Sequence, residues 1–125
     1  MAKQNQSSEK FKRSSCPVAS TLDIIGDKWT LLVVRDLFAG KRTYSEFQGS
    51  PEKIPTNILA ERLKRLAEYE IVVKKPYQHH PVRYEYLLTA KGKDLGPVLM
   101  TMVQWGEKHL PGTKAQIIPA KEAKP

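Results

Sequence analysis

Cysteine is almost absent from this 125-residue chain, and long apolar runs are absent altogether. The single cysteine, Cys16, excludes a disulfide within the chain and a zinc site built from cysteine pairs. The longest apolar run, Leu31 to Val34, is far shorter than the roughly 20 residues that a membrane-spanning helix needs. The stretch from Met1 to Lys12 is polar and lacks the apolar core of a secretory signal peptide. We therefore expect a cytoplasmic protein with no membrane partner.

The residue patterns of an enzyme are missing as well. The sequence has no glycine-rich phosphate loop, no serine or cysteine nucleophile with a plausible base, and no carboxylate pair at a defined spacing. His79 and His80 are neighbours, but two histidines without further ligands do not make a metal site. We expect a protein that is not an enzyme and that binds no metal and no cofactor.

Positive charge is present in excess. Lysine and arginine outnumber the acidic residues 21 to 13, which gives a formal net charge of +8. A surplus this large on a small domain favours a polyanionic partner, because neutralised phosphates release their counterions. The alternative is that the charge serves solubility, since part of it lies near the chain ends, at Lys3, Lys10, Lys12, Arg13, Lys114, Lys121 and Lys124.

The chain is predicted to form one domain between two tails. Residues 1–12 and 111–125 are rich in polar residues and lack periodic apolar positions, so we expect them to be flexible. Residues 13–110 are then the folded domain, which is long enough to bury a modest core.

The first half of the domain has the pattern of two helices. Pro17 suits the start of a first helix, and Gly26 suits its end. Asp27 can then cap a second helix over residues 28–39. Because this second helix is apolar nearly all round, we expect it to lie buried at the centre of the fold.

A short helix and a longer amphipathic helix follow. Ser45 and Gln48 fit the capping box of the short helix, with Phe47 as its core anchor. The longer helix is predicted over residues 56–69, with an apolar face formed by Leu59, Leu63 and Leu66.

The pattern then changes from helical to alternating. Residues 71–77 and 82–88 are rich in β-branched and aromatic residues and are joined by a short polar turn, which predicts a β-hairpin. Thr89 is expected to cap a last long helix, and Pro97 is expected to kink it, because the proline ring clashes with the carbonyl four residues earlier.

This element order predicts a winged helix-turn-helix, a mainly α fold with a small β-hairpin wing (α+β). In that geometry the second helix of the pair enters the major groove of DNA and the hairpin reaches the flanking backbone. The residues predicted to face DNA are Arg42, Ser45, Thr56, Asn57, Ala60, Glu61, Arg62, Lys64 and Arg65. Two alternatives remain: an ordinary solvated helix face, or a winged helix that binds another protein.

Several short motifs resemble a known family. They are Cys16 to Ala19, Asp27 to Leu32, Arg35 to Leu37, Tyr44 to Phe47, Ile54 to Thr56, Pro81 to Tyr86, and Trp105-Gly106. Spread in order over about residues 14–109, they resemble the HxlR-type regulators, a branch of the MarR-like winged helices. The resemblance implies a homodimeric bacterial transcription regulator, a repressor or an activator, that binds a pseudo-palindromic operator and often responds to a metabolite or to oxidative and electrophilic stress. Of the two signs of regulation, we expect repression.

The resemblance also bears on three single positions. It assigns Arg83 as the wing arginine that contacts the DNA backbone or minor groove. Glu70 stands where the family usually has glycine, so we expect the preceding helix to end differently. Pro55 stands where the family often has serine, so we predict that Thr56 is the cap instead.

Cys16 has two interpretations. At the start of the first helix, near Lys12 and Arg13, its thiolate is favoured by the helix dipole and the neighbouring cations. Some members of the resembling family use an N-terminal cysteine to sense oxidants or quinones, which implies redox sensing here. The alternative is a small residue that packs at a dimer seam.

The last helix has more apolar surface than a small domain can cover by itself. A two-fold dimer built from the first and last helices would bury this surface and the exposed face of the first helix together. The residues predicted at the dimer interface are Val18, Leu22, Leu95, Val98, Leu99, Met102 and Trp105.

Overall fold

The computed structural model describes residues 13–115, so the predicted tail 1–12 and residues 116–125 of the second tail lie outside the described residues. The element order is α1 (Pro17–Ile25), α2 (Thr30–Phe38), α3 (Tyr44–Gln48), α4 (Thr56–Glu68), β1 (Val72–His79), β2 (Val82–Leu88), α5 (Ala90–Lys93) and α6 (Gly96–His109). The two strands pair in an antiparallel sheet. The predicted fold, mainly α with a hairpin wing, is confirmed. None of the helices in the described part could cross a membrane.

The core forms where α2 packs against α3, α4 and the base of the hairpin. Its buried members are Val33, Val34, Leu37, Phe47, Leu59, Leu63, Leu66, Ile71, Val72 and Tyr86. The three leucines of α4 fall on one face because residues three and four apart are neighbours on a helix. The helix α2 is central, as predicted, although its last residue, Phe38, is exposed and lies beside Gly96 of α6.

The loop between α1 and α2 is held by Asp27. Its carboxylate accepts hydrogen bonds from the backbone N–H groups of Trp29 (3.0 Å) and Thr30 (3.2 Å). These N–H groups have no partner within the helix, so the carboxylate satisfies them and complements the positive end of the helix dipole. The helix begins at Thr30 rather than at residue 28, and its N-cap is Trp29, so Asp27 stabilises the start of α2 from two residues before the N-cap and not as the predicted cap itself.

The end of α4 differs from the sequence-based prediction. Glu70 adopts a left-handed backbone conformation, with φ of 63°. Its N–H donates to Ala67 O, and the N–H of Ile71 donates to Leu66 O at 2.9 Å, which is the hydrogen-bond pattern of a Schellman motif. The helix therefore ends as it would with glycine, and the expectation of a different ending is wrong. The side chain makes this conformation cost about 1–2 kcal/mol more than glycine would.

The predicted kink at Pro97 is also wrong. The chain forms two separate helices, α5 and α6, and Pro97 lies in the first turn of α6, where its missing N–H leaves no hydrogen bond unmade. Thr89 caps α5 as predicted, since its hydroxyl oxygen accepts from the N–H of Gly92 at 3.0 Å. A Cβ at Gly92 would collide with the carbonyl oxygen of Ile71, so this contact between α5 and the start of the hairpin requires glycine.

Candidate DNA-binding interface

The sequence predicted Ser45 as the cap of the short helix α3. In the structure the cap is Thr43. The Thr43 hydroxyl accepts from the N–H of Glu46 (3.4 Å), and the Glu46 carboxylate accepts in return from the N–H groups of Arg42 (2.7 Å) and Thr43 (3.2 Å). This is a complete capping box, shifted by two residues from the predicted one. Ser45 is exposed in the first turn of α3.

The turn between α3 and α4 is held in place by a buried polar network. Lys41 donates to the Ser50 hydroxyl, and Ser50 donates to Asp36, both at 2.6 Å. All three side chains are buried, so each depends on the others for its hydrogen bonds. Arg35 extends the network, because it binds Asp36 and makes a two-pronged ion pair with Glu52 at 2.8 Å. The network fixes the connection from which α4 starts.

The outer face of α4 is polar and accessible. Thr56, Asn57, Glu61 and Lys64 are exposed, and Ala60 between them is half-buried. An amide, a hydroxyl and an ammonium group are suited to base edges and phosphate oxygens. The prediction that Thr56 caps α4 is wrong: the helix starts after Pro55 without a side-chain cap, and the Thr56 hydroxyl instead accepts from the Gln48 amide at 2.8 Å.

Two of the predicted DNA-facing arginines of α4 are engaged inside the protein. Arg62 and Arg65 each contact the carboxylate of Asp27 at 2.8 Å, and Arg65 also donates to the Thr30 hydroxyl at 3.0 Å. Arg62 has a second ion pair with Glu61. Both guanidinium groups are half-buried and point back at the loop between α1 and α2, so they position α4 against the domain.

The electrostatics of this cluster favour a charged Asp27. Partial desolvation opposes ionisation, but hydrogen bonds from the Thr30 hydroxyl, Arg62 and the Trp29 N–H outweigh it and hold the pKa of Asp27 well below its ordinary value. The pKa of Arg62 is raised by its hydrogen bond to Asp27. The cluster is therefore a permanent ion triad at neutral pH.

The wing presents three exposed cations: Arg83, which was expected there, and two lysines that were not. Arg83 is exposed on β2, as required of a wing contact, and Lys74 and Lys75 are exposed on β1. The ammonium group of Lys74 lies 4.3 Å from the centre of the Tyr84 ring, which supports the long side chain. A signal for Lys74 and Lys75 existed in the sequence: two adjacent lysines in a segment otherwise typical of a strand.

Arg42 joins the wing to the helix-turn-helix. Its carbonyl accepts from the Tyr86 N–H at 2.9 Å, and its exposed side chain lies 3.6 Å from Glu85. Burial, with an electrostatic contribution from neighbouring Tyr44, raises the pKa of Tyr86 to about 12, so the phenol stays neutral. The centres of the two rings lie 6.2 Å apart. The wing and the start of α3 are thus fixed relative to each other.

The residues predicted at a dimer interface divide into two groups. Leu95 and Leu99 are half-buried and pack on the core of their own domain. The others are exposed and form what we call the α1–α6 face: Val18, Leu22, Val98, Met102 and Trp105. An apolar groove of about 620 Å³ runs between α1, α2 and α6 and is lined in part by this face.

Cys16 is exposed at the N-cap of α1. The backbone N–H groups of Ala19 and Val18 stabilise its thiolate and lower the pKa of the thiol from its ordinary value. Arg13 does not pair with the sulfur but with Asp23, at 2.6 Å. His79 and His80 are exposed at the hairpin turn, and residues 13–115 contain no group of three or more potential metal ligands.

Comparisons with known proteins agree with this geometry. The chain is 38% identical over 103 residues to the uncharacterized HTH-type transcriptional regulator YdeP of Bacillus subtilis, which is 82% of this chain and 79% of YdeP. The redox regulator HypR in its reduced form is similar with a TM-score of 0.71 at 33% identity, over 77% of this chain and 95% of HypR. The reduced form of the transcriptional regulator YodB of B. subtilis gives a TM-score of 0.66 at 30% identity, over 81% of this chain and 100% of YodB.

A family profile covers most of the described chain. The HxlR-like helix-turn-helix profile matches residues 24–114, which include α2 to α6 and the hairpin. This range contains the helix-turn-helix, the wing and the capping interactions described above. The chain belongs to the HxlR-like helix-turn-helix family and is a transcription regulator of the helix-turn-helix type.

Proposed function

We propose that the chain acts as a homodimer in the cytoplasm, binds a pseudo-palindromic operator in double-stranded DNA, and represses transcription there. In each protomer α4 enters the major groove and the hairpin lies along the adjacent backbone. The observation that carries the proposal is the exposed polar face of α4 beside the wing cations. The ion pairs of Asp27 with Arg62 and Arg65 also support the proposal, because they turn these two arginines toward the domain. Asn57 and Lys64 then remain on the exposed face of α4.

The two contact surfaces are assigned different roles. Asn57, Thr56 and Lys64 lie on α4 and are the candidates for contacts to base edges. Arg83, Lys74 and Lys75 lie on the wing, where phosphate contacts supply affinity without reading the sequence. Arg62 and Arg65 contribute indirectly, since their ion pairs with Asp27 fix the orientation of α4. The net charge of +8 strengthens binding to any duplex at low salt.

The assignment predicts different phenotypes for the two surfaces. We expect Arg83→Ala to weaken binding to all duplexes alike and to reduce the slope of log affinity against log salt by about 0.9. We expect Asn57→Ala to change the preference at particular base pairs by about 1–3 kcal/mol. These effects are separated by fluorescence anisotropy titrations at several salt concentrations. One duplex is an operator selected from random sequences, and the other is a scrambled version of it.

Lys108→Ala is the matched control, because it removes one exposed cation from the end of α6 and leaves α4 and the wing intact. If Arg83→Ala changed only sequence preference while Asn57→Ala left it unchanged, the roles of wing and helix would be reversed. If the unmodified protein bound no duplex at low salt, the alternative of a protein-binding winged helix would replace the proposal.

Oxidative or electrophilic stress is the stimulus that we propose for the regulator, with Cys16 as the sensor. The exposed thiol with its lowered pKa supports this, and the structural neighbour HypR is a redox regulator. Cys16 is the N-cap of α1 and lies two residues before Val18 of the α1–α6 face, so a modified sulfur adds bulk or charge near the proposed dimer interface. A rotation of the protomers there changes the spacing of the two α4 helices, which must lie about 34 Å apart to reach both half-sites.

We expect a mild oxidant or a quinone to modify Cys16 and to change operator affinity, and we expect Cys16→Ser to abolish that response while keeping basal binding. Operator titration with and without oxidant, together with mass spectrometry of the cysteine, tests this. Complete modification of Cys16 with unchanged operator affinity would show that Cys16 is not the sensor.

A further inference from the structure

A second apolar groove, of about 240 Å³, lies between α2, α6 and the segment that follows α6. Its apolar lining comes from both helices: Leu31, Leu32, Phe38, Leu99, Met102 and Val103. Covering apolar surface of this kind stabilises the protein by about 25 cal/mol per Å². The groove is a different surface from the α1–α6 face, although the two share Met102.

The chain after α6 turns back along this groove. Gly112 takes a left-handed conformation, with φ of 85°, which reverses the direction of the backbone. The Thr113 hydroxyl then lies 2.8 Å from Leu110 O and 3.1 Å from Gly106 O, and the Ala115 N–H donates to the Glu107 carboxylate at 3.0 Å. These contacts hold residues 113–115 against α6, and all three line the groove.

The residues that come next have the chemistry of an occupant. Ile117 and Ile118 are the only large apolar residues after Leu110, in a segment otherwise made of small, polar and charged residues and proline. Because an extended chain spans about 3.3 Å per residue, a segment of this length can reach at most roughly 10 Å from Ala115. Pro119 also restricts Ile118 to extended conformations, which lowers the entropy lost when the segment binds.

We propose that residues 116–118 of this chain bind in the groove between α2 and α6 of the same protomer, with Ile117 and Ile118 covering its apolar lining. The occupant also packs beside Arg35, which lines the groove and whose guanidinium binds Glu52 in the turn before α4. The segment thus supports the same arginine that fixes the helix-turn-helix connection. This inference does not depend on the proposed operator or on dimerisation.

Disulfide trapping in the full chain tests the docking directly. In a Cys16→Ser background, Phe38→Cys is combined with Ile118→Cys, since Phe38 is exposed and lines the groove. We expect mild oxidation to join the two cysteines within one chain at least tenfold faster than in the control pair, Met100→Cys with Ile118→Cys. Met100 is exposed on α6 and is not part of the groove lining.

Two results of this experiment would overturn the proposal. Equal rates for the two pairs would mean that the segment has no preference for the groove, and a disulfide between chains would mean that it binds a second copy.

Because cysteine at Phe38 could disturb folding, a second measurement uses the unmodified groove. We expect Ile117→Asp with Ile118→Asp to lower the melting temperature by about 4 °C or more, whereas the control Ala120→Asp with Ala123→Asp leaves it unchanged; equal melting temperatures for both double variants contradict docking.

Discussion

Asp27→Asn is expected to lower the free energy of unfolding by about 2–3 kcal/mol at neutral pH. Breaking a buried ion pair costs about 3–5 kcal/mol, and we reduce this figure because the Asp27 side chain is 28% exposed. The loss arises because two half-buried guanidinium groups, Arg62 and Arg65, keep their charge without their carboxylate. Urea unfolding of both proteins measures the difference.

The matched control is Asp23→Asn. Asp23 pairs with Arg13 at 2.6 Å, a geometry as close as that of Asp27, but the Arg13 side chain is 60% exposed. Exposed pairs contribute about 0–1 kcal/mol, so this control should be nearly neutral. Equal losses of stability in the two variants would contradict a structural role for the triad of Asp27, Arg62 and Arg65.

The pH dependence gives an independent check of the same triad. The folded state holds the pKa of Asp27 below the value of about 3.9 expected for the unfolded chain. Its contribution is therefore fully present above about pH 4 to 5 and is lost as the pH falls through the folded pKa. The stability difference between the parent protein and Asp27→Asn should be constant from pH 5 to 8 and shrink in more acidic solution.

Local periodicity was enough to predict most elements of this fold, although not the division of the last helix into α5 and α6. The helix α4 was predicted over residues 56–69 and runs from Thr56 to Glu68, and the second strand was predicted over 82–88 and runs from Val82 to Leu88. Both segments show their apolar spacing within a single element, and burial against α2 selects that spacing. The exposed face of α4 follows from the same periodicity, so Asn57 and Lys64 could be identified before the structure.

The ends of the helices were harder to predict, because competing residues have nearly equal local chemistry. Thr43 with Glu46 and Ser45 with Gln48 both fit a capping box, and only the tertiary structure decides between them. The complete burial of Phe47 and the hydrogen bond between Tyr86 and Arg42 fix the start of α3 at the first pair. The end of α4 was likewise predicted wrongly, since the backbone hydrogen bonds of Glu70 and Ile71 hold Glu70 in the left-handed conformation despite its side chain.

Long-range ion pairs could not be predicted from the sequence at all. Asp27 is separated from Arg62 by 35 residues and from Arg65 by 38, and no local pattern connects them. Cations on a predicted groove helix are equally compatible with phosphate contacts, which is how the sequence assigned them. The same loop that carries Asp27 also lines the groove beside α1, so the triad connects α4 to the surface where we propose that protomers meet.

Trp105→Glu is expected to convert the protein from a dimer to a monomer and to weaken operator binding by about 10²–10⁴-fold, because the two half-sites would then be bound independently. Trp105 is 61% exposed on α6, where it contacts the His109 ring at 5.1 Å but is not part of the domain's own core. Such a large exposed apolar side chain, on the same helix as the exposed Val98 and Met102, favours contact with a second copy.

The control for this variant is Met100→Glu, which places the same charge at an exposed position of α6 outside the α1–α6 face. Analytical ultracentrifugation at micromolar concentration gives the oligomeric state, and circular dichroism shows that each variant is folded. A single half-site duplex separates avidity from damage to α4: the monomeric variant should bind it as tightly as one protomer of the parent protein does. Loss of affinity for the half-site as well would mean that Trp105 supports the fold of the DNA-binding unit, and a parent protein that sediments as a monomer would remove the dimer from the proposal.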